Sequence, residues 1–206
     1  IINQKELLNV KKILNSKNIK LTGIINNAAI NPSFEKGGIN EGSRLENYDL
    51  EKWDLELEVG LKGSYLVIKV FSEDLLSHNH KGIIVNISSD LGIIAPDQRI
   101  YELEGLEKSH QPVKPITYSV IKSGLIGMTK YLATYFEGKV RANVLCPGGI
   151  QTTQDIKFVK KLSNLIPLKR MAKPNEYCGT IIYLLSDASS YMNGSVISVD
   201  GGRTVW

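Results

Sequence analysis

Ile83-Ile84-Val85-Asn86-Ile87-Ser88-Ser89 is a short, nearly continuous apolar run that stops on two hydroxyls. Without polar alternation, such a run suits a strand buried on both faces, as in parallel sheets. Outward from it lie three more runs of the same kind. Residues 21–25 end in Asn26-Asn27-Ala28-Ala29, and residues 140–145 end in Cys146-Pro147-Gly148-Gly149-Ile150-Gln151-Thr152. Residues 196–199 close on Asp200-Gly201-Gly202. Helical patterns separate them, over residues 4–17, 50–77, 117–136, 155–165 and 174–185, with Trp53, Leu57, Leu61 and Ile68 along one side of the second. Strands alternating with helices predict an α/β fold, a three-layer doubly wound parallel sheet, in a single domain spanning 1–206. Residues 31–48 and 90–116 read as loops.

Ligands in such sheets sit outside the carboxyl ends of the strands, where the hydroxyls, amides and glycines of this chain gather. Pro115 opens the helix that carries Thr117-Tyr118-Ser119-Val120-Ile121-Lys122. Four-residue spacing puts Tyr118 and Lys122 on one face, one turn apart. A neighbouring ammonium and the positive end of the helix favour a phenolate, drawing the phenol down from its ordinary pKa of about 10. Tyr-x-x-x-Lys alone also fits a surface helix. With Ser89 to hold a substrate oxygen, the group suits hydride transfer, in which an alkoxide develops.

The 206 residues are 42% hydrophobic and 22% charged, ordinary for a soluble globular protein, with a net charge of +4. The cations are dispersed and not interleaved with aromatics, so no nucleic-acid partner is expected. No apolar run reaches the ~20 residues that span a bilayer, so no membrane partner is expected either. The chain opens without a signal-peptide pattern, and Cys146 and Cys178 form no Cys-x-x-Cys. Both read as reduced thiols of a cytoplasmic protein. His78-Asn79-His80 has no nearby acid or cysteine to complete a metal site, so it reads as a solvated turn and no metal is expected.

Together these segments resemble the short-chain dehydrogenase/reductase family over essentially the whole chain. Asn26-Asn27-Ala28-Ala29 is similar to the family's Asn-Asn-Ala-Gly, with Ala29 in place of glycine. Ile87-Ser88-Ser89 resembles the strand bearing the catalytic serine, and Tyr118 and Lys122 match Tyr-x-x-x-Lys. Pro147-Gly148 through Thr152 resembles the segment that meets the nicotinamide carboxamide. Pro167-Leu168-Lys169-Arg170, Pro174-Asn175-Glu176 and Val199-Asp200-Gly201-Gly202 match its closing segments. The resemblance implies catalytic Ser89, Tyr118 and Lys122. It implies cofactor contacts from Asn27, Ala28, Ala29, Tyr118, Lys122, Pro147, Gly148, Ile150 and Thr152, with NAD or NADP as cofactor. The substrate is then a small molecule, an alcohol or ketone. The 90–116 loop and Lys130-Tyr131-Leu132-Ala133-Thr134-Tyr135 are similar to a bacterial branch found with flagellin modification and surface polysaccharides. That suggests a sugar or nucleotide-sugar precursor as substrate.

Three departures from the family pattern stand out. The opening βαβαβ half and its Gly-x-x-x-Gly-x-Gly turn are missing, so a fragment is expected, the alternative being lost dinucleotide binding. The family's helical asparagine aligns with Gly60, whose backbone carbonyl is left to hold a relay water. Ser89 and Tyr118 stand 29 positions apart, a longer gap than the family's. The extra loop is read either as a surface insertion or as substrate-facing, with Gln98 and Arg99 candidates for substrate contact and Arg99 suited to a phosphate or carboxylate. Two other readings stay open. One is a 3-oxoacyl-thioester reductase whose carrier protein would dock on Lys157, Lys160 and Lys161; the other is a truncated non-catalytic paralogue. Apolar surface on the 50–77 and 117–136 helices predicts a homodimer or homotetramer.

Overall fold

The computed structural model describes residues 1–30, 41–77 and 82–206. Most of the 31–48 loop and the His78-Asn79-His80 turn therefore lie outside the described residues. Four parallel strands form one sheet in the order β1-β2-β3-β4: β1 (Gly23–Asn26), β2 (Gly82–Ile87), β3 (Val140–Pro147) and β4 (Val196–Val199). β2 and β3 pair from Gly82 with Val140 to Ile87 with Leu145. Ser88 and Pro147 thus finish on the same edge of the sheet.

Helices α1 (Gln4–Ser16), α3 (Ser64–Leu76) and α4 (Ile116–Tyr135) cover one face. Ile68, Phe71 and Leu75 of α3 and Leu132 of α4 meet Ile84, Val140 and Ala142 there. Helix α6 (Cys178–Leu185) covers the other face, with Leu184 against Val85 and Leu145. This is the expected three-layer, Rossmann-like arrangement. A small second core joins Ile100 and Tyr101 of the 90–116 loop to Leu162 of α5 (Ile156–Asn164). Buried polar groups knit the sheet to α4. Asn26 Nδ2 donates to Asn86 Oδ1 at 2.8 Å, and Asn86 Nδ2 to Thr129 Oγ1 at 2.8 Å. Each finds the partner that burial demands.

Two expectations need correction. The first strand starts two residues and ends one residue later than read from the sequence and is buried on one face only, since Ile24 is buried and Ile25 is 42% exposed. The cause is coverage, because α6 packs over β2, β3 and β4 on that face and no β1 residue joins that cluster. The helix expected over 50–77 runs through as one helical stretch, α2 (Leu50–Leu57), a wider π-helical segment with i→i+5 bonding over Glu58–Gly63, and α3, so only the wide segment was not anticipated. Gly60 and Gly63 are buried in that segment. Such bulges recur at functional sites.

Candidate active site

The end of β2 is clamped to the start of α4. Ser88 Oγ donates to the Lys122 carbonyl at 2.7 Å, and Lys122 Nζ donates to the Ile87 carbonyl at 2.9 Å. Gly92 lets the following turn close on this clamp, since a Cβ there would lie 2.6 Å from Ser88 Oγ and 2.9 Å from the Lys122 carbonyl oxygen. Ser89, Tyr118 and Lys122 are thereby brought together. The Ser89 hydroxyl acts on the phenol as a hydrogen-bond partner, and Lys122 Nζ lies 5.7 Å from the centre of the Tyr118 ring.

The charges differ from the sequence expectation. Burial raises the Tyr118 phenol above its ordinary value, and the Ser89 hydroxyl only partly offsets that. Burial also lowers the Lys122 ammonium to about 8. Removal from water dominates both shifts, and the negative charge of Asp90 adds to the rise of the phenol.

Three residues of this centre were not found by sequence reasoning. Asp90 accepts a hydrogen bond from Ser89 Oγ at 2.7 Å, and its other oxygen lies 3.4 Å from Arg203 Nη1. Both members of that ion pair are buried. Lys114 places its Nζ 3.7 Å from the Tyr118 ring centre. Burial, then the like charge of Lys122, lowers Lys114 to about 8, while Asp90 and Glu56 oppose the shift. Only Lys114 left a local trace, a lysine bracketed by Pro112 and Pro115 just ahead of Tyr118. Asp90 and Arg203 are too far apart in sequence to signal a pair.

The remaining candidates fall as follows. Asn27, Ala28 and Ala29 are exposed at the carboxyl end of β1. Pro147 ends β3, and the Gly148 amide donates to the Val199 carbonyl at 3.0 Å. A Cβ on Gly148 would lie 2.8 Å from Asp200 Cα, so the two strand ends meet only because residue 148 is glycine. Ile150 bridges to Ala172, and the Thr152 amide donates to Gln154 Oε1 at 2.7 Å. Gln98 and Arg99 face the loop itself. Gln98 Oε1 accepts from the Lys114 amide at 2.8 Å, and Arg99 closes both arms of its fork on Asp97 at 2.8 and 2.7 Å. The Arg99 side chain is 80% exposed. At Gly60 the carbonyl accepts from Ser64 Oγ at 3.0 Å.

The donor set fits the nicotinamide end of a dinucleotide. An ammonium carries three N–H groups. Lys122 spends one on Ile87, which leaves donors for ribose hydroxyls, while exposed Asn27-Ala28-Ala29 backbone lies at the neighbouring strand end. No cluster of potential metal ligands occurs among the described residues.

Comparison with known proteins agrees with this geometry. Residues 2–204 match the family model described as enoyl-(acyl carrier protein) reductase. The chain is 34% identical over 174 residues to the 3-oxoacyl-[acyl-carrier-protein] reductase FabG of Thermotoga maritima, covering 82% of this chain and 63% of that protein. It is 30% identical over 214 residues to the post-translational flagellin modification protein A of Campylobacter coli, covering 97% of this chain and 78% of that one. A short-chain dehydrogenase of Leptospira borgpetersenii with bound NAD+ superposes with a TM-score of 0.81 at 29% identity, over 98% of this chain and 72% of the other. The chain spans about two thirds of the length of several curated relatives. With its parallel sheet, strand-end motifs and clustered Ser89, Tyr118 and Lys122, the chain belongs to the short-chain dehydrogenase/reductase family.

Proposed function

We propose that this chain carries the catalytic part of a cytoplasmic NAD(P)-dependent oxidoreductase that interconverts an alcohol and a ketone, on a sugar or nucleotide-sugar precursor. The meeting of Ser89, Tyr118 and Lys122 at the β2 end carries this reading. The nicotinamide, when bound, supplies or accepts the hydride. Ser89 orients the substrate oxygen. Tyr118 gives that oxygen a proton in reduction and takes it back in oxidation. Lys122 binds ribose and, as a cation, stabilises the phenolate that remains. Asn27, Ala28, Ala29, Pro147, Gly148, Ile150 and Thr152 would line the cofactor's path.

Likeness to the flagellin-modification protein supports a carbohydrate precursor. The oxoacyl reading has the FabG relative in its favour. Its docking patch is weak, however, because Lys157 pairs with Glu104 at 2.9 Å and Lys161 donates to the carbonyls of Arg99 and Glu102. Turnover of a sugar-phosphate and nucleotide-sugar panel against oxoacyl thioesters, in the full-length protein, separates the two. Preference for thioesters would reject the carbohydrate assignment, and no turnover of either would favour a non-catalytic paralogue. Self-association as a dimer or tetramer is part of this reading. Stacked Tyr131 and Tyr135 on α4 are 64% and 63% exposed, an apolar face that a second copy would cover. Light scattering tests it.

A further inference from the structure

We propose that Asp90 is a positioning residue that holds Tyr118 as a proton donor and so sets this centre for carbonyl reduction. The inference rests on the oxidoreductase reading and adds a direction to it.

The hydrogen bonds around Ser89 have a fixed direction. Asp90 Oδ1 accepts from Ser89 Oγ at 2.7 Å, and a carboxylate can only accept. The one proton of the Ser89 hydroxyl is thereby committed. The Leu91 amide donates to the same Ser89 oxygen at 3.2 Å, which leaves it a single lone pair. Ser89 is also the hydrogen-bond partner of the Tyr118 phenol, so that lone pair receives the phenol O–H. The chain runs from Tyr118 through Ser89 to Asp90, with every proton pointing toward the carboxylate. A phenolate at Tyr118 would face a lone pair instead of a donor. The fold builds this arrangement in. Ser89 and Asp90 are both buried in the turn that follows β2, and Gly92 lets that turn close on the Ser88–Lys122 clamp.

Charge acts in the same direction. The negative charge of Asp90 pushes up Tyr118, and with it Tyr101, Cys146 and Tyr177, and it favours the ammonium form of Lys114. Its own balance is incomplete. Arg203 Nη1 stands 3.4 Å from Asp90 Oδ2, and that buried oxygen has no hydrogen-bond partner among the described residues. On its other sides Tyr118 faces Lys114 and Tyr101 of the 90–116 loop and Lys122 of its own helix. The two ammonium groups lie 3.7 and 5.7 Å from the ring centre, whereas Asp90 acts at the phenol oxygen through the Ser89 hydroxyl. In reduction, hydride passes from the nicotinamide to the carbonyl carbon and the Tyr118 proton to the carbonyl oxygen. The Ser89 lone pair that is freed accepts from the new alcohol O–H, and a proton from bulk water restores the phenol. Oxidation must first ionise the phenol against Asp90.

The test uses the full-length protein as wild type, Asp90→Asn, Asp90→Glu and Asp90→Asn/Arg203→Met, each beside its Tyr118→Phe counterpart. The difference in ultraviolet phenolate absorbance within each pair titrates Tyr118 alone, without cofactor or turnover. Asp90→Asn removes the charge, and the Arg203→Met companion does so without stranding a buried cation. Both should bring the Tyr118 midpoint down by about 1 pH unit, a tenfold gain in phenolate at a given pH. Asp90→Glu keeps the charge and should titrate close to wild type. On the alcohol–carbonyl couple that the substrate panel identifies, the pH of half-maximal alcohol oxidation should fall by the same margin. An unmoved Tyr118 midpoint in both charge-removing variants, or an equal shift in Asp90→Glu, overturns the proposal. A midpoint that moves as expected in a protein that turns over no carbonyl supports the role of Asp90 and counts instead against the oxidoreductase reading.

Discussion

A Cβ added to Gly60 would lie 2.5 Å from Cγ2 of Ile121, the buried residue beside Lys122. The wide turn of residues 58–63 and the start of α4 pack so closely that only glycine fits. Gly60→Asn, which restores the family residue, should therefore destabilise the fold by about 1–3 kcal/mol, as overpacking does. Adding Ile121→Ala should recover part of the asparagine's loss. Urea midpoints of the single and double variants read this, and a Gly60→Asn protein as stable as wild type would show that the turn yields.

Arg203 and Asp90 form a buried pair behind the Ser89 hydroxyl. Removing one partner strands a buried charge, at about 3–5 kcal/mol. Arg203→Met is expected to lose that much stability and to lower kcat, since Asp90 would no longer fix Ser89. The Arg203→Met/Asp90→Asn double variant should be more stable than the sum of the two singles. Additive losses would mean that the pair is not coupled.

The two active-site lysines make stability pH-dependent. Burial holds Lys122 at about 8, and burial, then the like charge of Lys122, holds Lys114 at about 8, both below the ordinary value of 10.5. Protonating them disfavours the folded state. That penalty is fully present below pH 8 and fades as pH rises from 8 toward 10.5, where the unfolded chain binds more protons. Between pH 7.5 and 10 the wild type should gain stability relative to the Lys114→Met/Lys122→Met double variant. Parallel curves for the two proteins would refute the depressed values.

Much of this molecule was legible from local pattern. The strand-end motifs and the Tyr118–Lys122 spacing needed only runs of apolar residues and a helical period. What stayed hidden depends on distant contacts. The wide segment over residues 58–63 packs Gly60 against Ile121, a contact between residues 61 positions apart. The half-open face of β1 follows from where α6 packs, over β2, β3 and β4, which no four-residue run encodes. The Tyr118 phenol moved opposite to expectation because burial, a property of the whole fold, dominates its shift, and the Ser89 hydroxyl only partly offsets it. Arg203 reaches Asp90 from the last turn of the chain, a pairing that no sequence window contains.

The most direct test of the central claim is single-turnover hydride transfer in full-length Tyr118→Phe, with cofactor affinity measured alongside. If Tyr118 moves the proton, the transfer rate should fall by roughly 10²–10⁴-fold while NAD or NADP binds as in wild type. A Tyr118→Phe enzyme that transfers hydride at the wild-type rate would contradict the assignment.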